Sequence, residues 1–209
     1  MKLLPPTLLV RAYMQGIFPM AMDTGEIGWF SPDPRAVIPL ESFHVPHGLR
    51  RLMRKNPYEI RVDSAFRQVM HGCAGRKETW IDPVIQDSYA ALHDSGCAHS
   101  VETWENGELV GGLYGVALGG AFFGESMFSR RPSASGVALV HLVERLLARG
   151  YILLDTQWST PHLRRFGVVE ITRPLYLDRL AAALRLDCAF NGPPRIQRAD
   201  LETKNSAAD

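Results

Sequence analysis

The sequence predicts an α/β (α+β) fold, with a main domain on a mixed, largely antiparallel sheet and a small domain before it. Three observations carry this. Two hairpin signals, Glu105-Asn106-Gly107 and Gly119-Gly120, separate strand-forming runs, so three consecutive strands fold back on one another. A helical stripe of Leu139, Leu142, Val143 and Leu146 then leads to another short apolar run at 151–154, as a crossover helix does. The 46% hydrophobic and 22% charged content of the 209 residues suits a globular chain with one large domain and an appendage.

Residues 1–56 read as the small N-terminal domain. Thr7 stands where an N-cap would, Leu8, Leu9, Ala12 and Tyr13 follow at near-helical spacing, and Gly16 ends the helix. The segment 16–40 reads as an aromatic-proline loop laid over the core, with Trp29, Phe30, Pro32, Pro34 and Arg35 in close succession. A helix over 47–55 carries Leu49, Leu52 and Met53, with Arg50, Arg51, Arg54 and Lys55 on its remaining face. Residues 57–190 read as the main domain. A strand at 58–62 precedes a helix capped by Asp63 or Ser64, and Asp82-Pro83 supplies the cap and first residue of the next helix. Strands follow at 99–104, 109–118 and 121–128, then the crossover helix capped by Ser133 or Ser135 and closed by Gly150. Another helix and a strand complete the domain, and the polar stretch 191–209 reads as a flexible tail.

The net charge of +1 argues against a broadly basic nucleic-acid binder but allows a local patch, and the cluster from Arg50 to Lys55, with Arg61 near it, is the strongest candidate for phosphate. Three cysteines at no pairing-like spacing point to a reducing compartment. Pro5, Pro6 and Arg11 break the first apolar run, and no run reaches membrane-spanning length, so the expected location is cytoplasmic, away from membranes.

The stretch 111–129, GGLYGVALGGAFFGESMFS, holds the most informative residue. Glu125 lies in an apolar strand, where a carboxylate is costly without a partner or a task. Gly124 beside it leaves room for a ligand against the backbone. Asp155 and Gln157, at the end of the next strand, are placed to converge on it, with Leu113, Phe122, Phe123, Met127 and Trp158 as apolar neighbours. Buried polar residues that merely satisfy one another remain an open alternative. The pairs His71/Cys73, Cys97/His99 and His44/His47 lack metal-site spacing, Gly124-Glu125-Ser126-Met127 lacks the second glycine of a nucleophile elbow, and no dinucleotide fingerprint occurs.

The order β-α-α-β-β-β-α-β-α resembles acyltransferases of the GNAT type, in which glycine-rich amides before the third helix hold coenzyme A. Here that loop reads RRPSASG, without the glycines, which points to a different acyl carrier. AYMQGIFPM at 12–20, WFSPDPR at 29–35, TWI at 79–81, GGLYGV at 111–116, GESMFS at 124–129, and DTQ with a following HL at 155–163 are together similar to leucyl/phenylalanyl-tRNA–protein transferases, over nearly the whole chain. The resemblance implies a small N-terminal domain and a GNAT-like catalytic domain. It also implies transfer of leucine or phenylalanine, less well methionine, from aminoacyl-tRNA to proteins beginning with arginine or lysine. The product is an N-terminal degradation signal.

Carried over by position, Leu113, Phe122, Glu125 and Met127 would line the pocket for the transferred residue, and Asp155 and Gln157 would meet the incoming arginine or lysine. Tyr13, Trp80 and Tyr89 would contact the terminal adenosine, with Phe30 at the same tRNA end. Met20, Phe30 and Gly136 depart from the family's usual tryptophan, second tryptophan and lysine. The implied enzyme is a monomer that needs no metal, ATP or other cofactor, because the ester is already activated. Glu125, Asp155 and Gln157 are the expected catalytic residues. Asp155→Ala or Gln157→Ala is expected to reduce transfer greatly with the fold intact, and Gly136→Lys to add a phosphate contact. A non-catalytic binder of N-terminal arginine or aminoacyl-tRNA, and a coenzyme A-dependent N-acyltransferase, are the competing readings.

Overall fold

Two sheets organise residues 3–75 and 79–193, the residues described by this computed structural model. α1 (Pro6–Tyr13) starts behind an extended Pro5, so Thr7 lies inside it rather than capping it. The segment expected to be loop is instead β-structure. β1 (Phe18–Ala21) and β2 (Ile27–Phe30) pair antiparallel as a separate two-stranded sheet. β3 (Arg35–Ile38) is buried at all four positions, because Arg-Ala-Val-Ile offers apolar side chains to both faces of a larger sheet. That sheet takes in residues on both sides of the expected boundary at 56, since β3 lies inside it.

α2 (His47–Met53) buries Leu49 and leaves Arg50 and Arg51 exposed. β4 (Glu59–Val62) leads to α3 (Phe66–Ala74), which neither Asp63 nor Ser64 caps. Asp63 turns away at φ 54° and accepts from the Ser100 amide at 2.8 Å and His99 Nδ1 at 2.7 Å. α4 (Pro83–Asp94) starts as its sequence predicts, with the Asp82 carboxylate accepting from the Ile85 amide at 2.8 Å.

β5 (Ala98–Glu105), β6 (Glu108–Leu118) and β7 (Ala121–Ser129) form the antiparallel meander, turning at Asn106-Gly107 (φ 51° and 79°) and at Gly119 (φ 55°). α5 (Ala134–Ala148) crosses over to β8 (Leu153–Gln157), which runs parallel to β7. α6 (Pro161–Arg164), β9 (Val169–Ile171) and α7 (Arg173–Leu184) complete the chain. The sheet order is β4-β5-β6-β7-β8-β3-β9, and the β7–β8 pair is its one parallel neighbour among the described strands. One face packs Tyr13, Tyr89, Tyr114, Phe123 and Tyr176 against the helices α1, α3, α4 and α7. The other packs Leu113, Phe122 and Leu154 under α5, with Leu49 of α2. The expected tail from residue 194 onward lies outside the described residues.

Candidate active site

Two strand irregularities build the site. Tyr114 pairs with Ser126 but Gly115 pairs with Gly124, so Glu125 is the extra residue of a bulge in β7. A side chain at Gly115 would collide with the Phe123 carbonyl and the Phe122 ring, so the close approach behind the bulge requires glycine. On β8, Asp155 pairs with Val37 and Gln157 with Ala36, which leaves Thr156 bulged. The parallel ladder between β7 and β8 has its last pair at Phe123 and Asp155. Beyond that pair, Gln157 Nε2 donates across to Glu125 Oε1 at 2.9 Å.

Glu125 is half-buried, and its second oxygen accepts from the Tyr89 hydroxyl at 3.4 Å, which is itself hydrogen-bonded to the Tyr13 hydroxyl. Burial lifts the Glu125 carboxyl to about 8 and the charge of Asp155 adds to the lift, while Tyr13, Arg35 and Tyr89 pull the other way. Near neutral pH it therefore rests mostly protonated. Tyr13 and Tyr89 are fully buried beneath it, raised well above the usual phenol value first by burial and then by the Glu125 charge, and so remain hydroxyl donors.

Asp155 stands elsewhere in the network. Its carboxylate is fully buried and accepts from Arg35 Nε at 2.9 Å and Nη2 at 2.7 Å, from the Tyr176 hydroxyl at 2.8 Å and from the Gln157 amide at 2.9 Å. Arg35, equally buried, also donates from Nη1 to the Gly16 carbonyl at 2.9 Å and lies over the rings of Phe18 and Tyr176. Burial works against its charge, but the hydrogen bonds and charge of Asp155 outweigh that and keep it cationic. The last of the four bonds holds Gln157 at φ 57°, a left-handed backbone that costs a residue with a side chain about 1 kcal/mol or more. Asp155 thus faces protein on all sides rather than an incoming substrate. Asp155→Ala also leaves a buried arginine without its partner, so it is not expected to spare the fold.

A cleft of about 890 Å³ opens over Glu125 and Gln157. Leu113, Met127, Leu139, Leu142 and Leu154 make an apolar slot within it, and Trp80, Trp158 and Arg130 stand along its walls. Of the residues expected here, Leu113, Met127, Trp80, Glu125 and Gln157 line the cleft. Phe122 does not: it is wholly buried and stacks on Phe190 at 5.4 Å. Phe30 backs the wall through Phe18 and Trp158, with ring centres 6.2 Å from each. Tyr13 and Tyr89 are spent on Glu125 and offer no face to a base. Arg50, Arg51, Arg54 and Lys55 are all exposed, and among the described residues none is in an ion pair. Gly136 is buried beneath them, where a Cβ would lie 3.3 Å from Leu49 and 3.4 Å from Phe166, so it does not face a phosphate. Arg35 and Tyr176 went unread as site residues. An arginine inside Arg-Ala-Val-Ile was a usable signal, since a buried cation needs a carboxylate.

Among the described residues, no three His, Cys, Asp or Glu side chains stand close enough to hold a metal ion, and no helix is long and apolar enough to cross a membrane. The family model for leucyl/phenylalanyl-tRNA protein transferase matches residues 37–181, and the one for that enzyme's N-terminal domain matches residues 3–33. A leucyl/phenylalanyl-tRNA–protein transferase of Salinibacter ruber is 52% identical over 201 residues, 96% of this chain and 89% of the relative. One of Rubrobacter xylanophilus is 56% identical over 188 residues, 90% of this chain and 98% of the relative. Among solved structures, L-PGS from Bacillus licheniformis overlaps loosely, with a TM-score of 0.43 and 18% identity over 71% of this chain and 51% of that one.

Proposed function

The chain belongs to the leucyl/phenylalanyl-tRNA protein transferase family, and from that premise we propose how its cleft works. It moves leucine or phenylalanine, and less well methionine, from the 3′ end of tRNA to the α-amine of a protein beginning with arginine or lysine. The observation that carries this is the Gln157–Glu125 hydrogen bond at the head of the apolar slot. The slot takes the donor side chain, and its leucines with the flexible Met127 suit an apolar leucine or phenylalanine. Glu125 holds the donor's α-ammonium, and that charge favours the carboxylate form of a group otherwise mostly protonated.

The amide of Gln157 points its nitrogen at Glu125, so its oxygen is free to accept an N–H of the incoming amine. The amine nitrogen then bonds to the ester carbonyl carbon, the bond to the ribose oxygen breaks, and the amine's proton ends on that oxygen. An α-amine has an ordinary pKa of about 7.7–8.0, so only a modest bias toward its neutral form is needed. Much of the acceleration comes from holding two substrates together.

Asp155, with Arg35 and Tyr176, is a positioning residue that fixes the backbone of Gln157. Among the described residues lining the cleft, Glu125 is the one acid, and Trp158 is an exposed indole next to Gln157. A guanidinium or ammonium from the acceptor fits against that ring. Trp80 suits the terminal adenosine, and the α2 arginines suit phosphates farther along the tRNA. The test is leucyl-tRNA with two peptides, one beginning with arginine and one with alanine. Leucine should appear on the first alone. No transfer would refute the enzyme, and equal transfer would refute the acceptor preference.

A further inference from the structure

We propose that Arg130, with His71 beside it, seats the phosphate that joins the donor's terminal adenosine to the nucleotide before it. This rests on the donor being aminoacyl-tRNA. A second, smaller cleft of about 270 Å³ is lined by Arg67, Gln68, His71, Leu109 and Arg130. His71 and Arg130 also line the main cleft, so the two cavities meet at those side chains. Trp80 and Gly75 line the same main cleft as Glu125, so a donor with its aminoacyl ester at Glu125 and its side chain in the slot lies in one continuous cavity with that junction.

Arg130 is equipped for an anion. Its guanidinium lies 5.5 Å over the Phe128 ring, and among the described residues its side chain makes a long 3.4 Å hydrogen bond from Nη1 to the Leu109 carbonyl. Most of its five donors are therefore unspent, and a planar fork matches a phosphate. Its neighbours differ. Arg131 donates to Glu105 at 3.1 Å, and Arg67 stands 3.7 Å from Asp94, whereas Arg130 is in no ion pair among the described residues. The platform is fixed, because the Phe128 ring packs flush on Gly72, where a Cβ would come within 2.8 Å of it. The Arg130 backbone is tied by its amide to the Val110 carbonyl at 2.7 Å. His162 also lines the main cleft, but burial and then Arg165 hold it below the ordinary imidazole range, so it brings no charge near neutral pH.

The experiment compares two phenylalanyl donors, the 3′ ester of adenosine and the 3′ ester of cytidylyl-adenosine, which differ by one nucleoside and one phosphate. The readout is the factor by which kcat/KM rises from the first to the second. That factor should fall about tenfold in Arg130→Gln, the size expected for a charge-assisted hydrogen bond, and partly recover in Arg130→Lys. It should also shrink with salt in the wild type but not in Arg130→Gln. An unchanged factor, or proportional losses on both donors, would overturn the phosphate seat while leaving the transferase standing. A wild type inert with both esters and with phenylalanyl-tRNA would remove the transferase reading and this seat with it.

Discussion

Arg35→Met takes the cation from a carboxylate that has no water to fall back on. Both partners are wholly buried, and the pair is bidentate at 2.9 and 2.7 Å. Breaking a buried pair from one side costs about 3–5 kcal/mol, and freeing the Gly16 carbonyl adds about 1 kcal/mol. Against a total stability of about 5–15 kcal/mol that is a large fraction, and denaturant unfolding followed by circular dichroism reads it directly. The informative construction adds Asp155→Asn to Arg35→Met. Asparagine carries no charge to strand; its oxygen, in the place of Oδ1, still accepts from the Gln157 backbone amide, and its NH2, in the place of Oδ2, can donate to the Tyr176 hydroxyl oxygen.

The double variant should regain about 2 kcal/mol over Arg35→Met alone, within the range of coupling energies between touching residues. Because Gln157 keeps its anchor, transfer should also return to within about tenfold of the wild type, since one charge-assisted hydrogen bond is worth about that factor. Additive losses, with no coupling, would refute the buried pair as the source of the cost. Recovered stability with transfer no better than in Gln157→Ala would refute the positioning role and return Asp155 to direct contact with substrate.

Glu125→Gln tests the raised carboxyl. Folded Glu125 titrates near 8 against an ordinary 4.5, so it holds a proton that the unfolded chain releases; its stability contribution is fullest below 4.5 and is lost as pH rises to about 8. The variant should gain on the wild type steadily from pH 5 to 8 on this account, and unfolding midpoints that differ by the same amount at both ends would contradict it. Replacing Arg50, Arg51, Arg54 and Lys55 by glutamine should weaken tRNA binding and flatten its log–log salt dependence by up to about 0.9 per phosphate lost; unchanged titrations would make the cluster a solvated face. Gly136→Lys should cost about 1–3 kcal/mol by wedging between Leu49 and Phe166, with no steeper salt dependence; a tighter, steeper tRNA titration at full stability would refute the burial argument.

Local chemistry made parts of the fold legible. Asn106-Gly107 and Gly119 announce their hairpins because few other residues accept those backbone angles, and Asp82-Pro83 announces α4 because cap and first turn are set by neighbours in sequence. β1, β2 and β3 were not legible. Each is four residues long, two carry proline or glycine, and their pairing partners decide them. Asp63 illustrates the same limit, since a capping residue by type was drawn off by Ser100 and His99, both remote in sequence.

At the site, Glu125 and Gln157 could be read because a polar residue in an apolar strand is costly wherever it points. The partner of Asp155 could not, because Arg35 lies 120 residues away. The slot depends on a feature that residue types do not record. Strict alternation would put Phe122 and Met127, five positions apart, on opposite faces. The bulge at Glu125 resets that parity, so Phe122, Gly124 and Met127 share the face of Leu113. Phe122 nonetheless lies outside the cleft, because Gly124 opens the slot and Phe122 sits two positions deeper under Phe190. The extra residue therefore does two things at once. It turns Met127 toward Leu113 to close the apolar slot, and it frees Glu125 from the ladder so that its carboxyl can reach Tyr89 on one side and Gln157 on the other. An unbulged strand would have to give up one to keep the other.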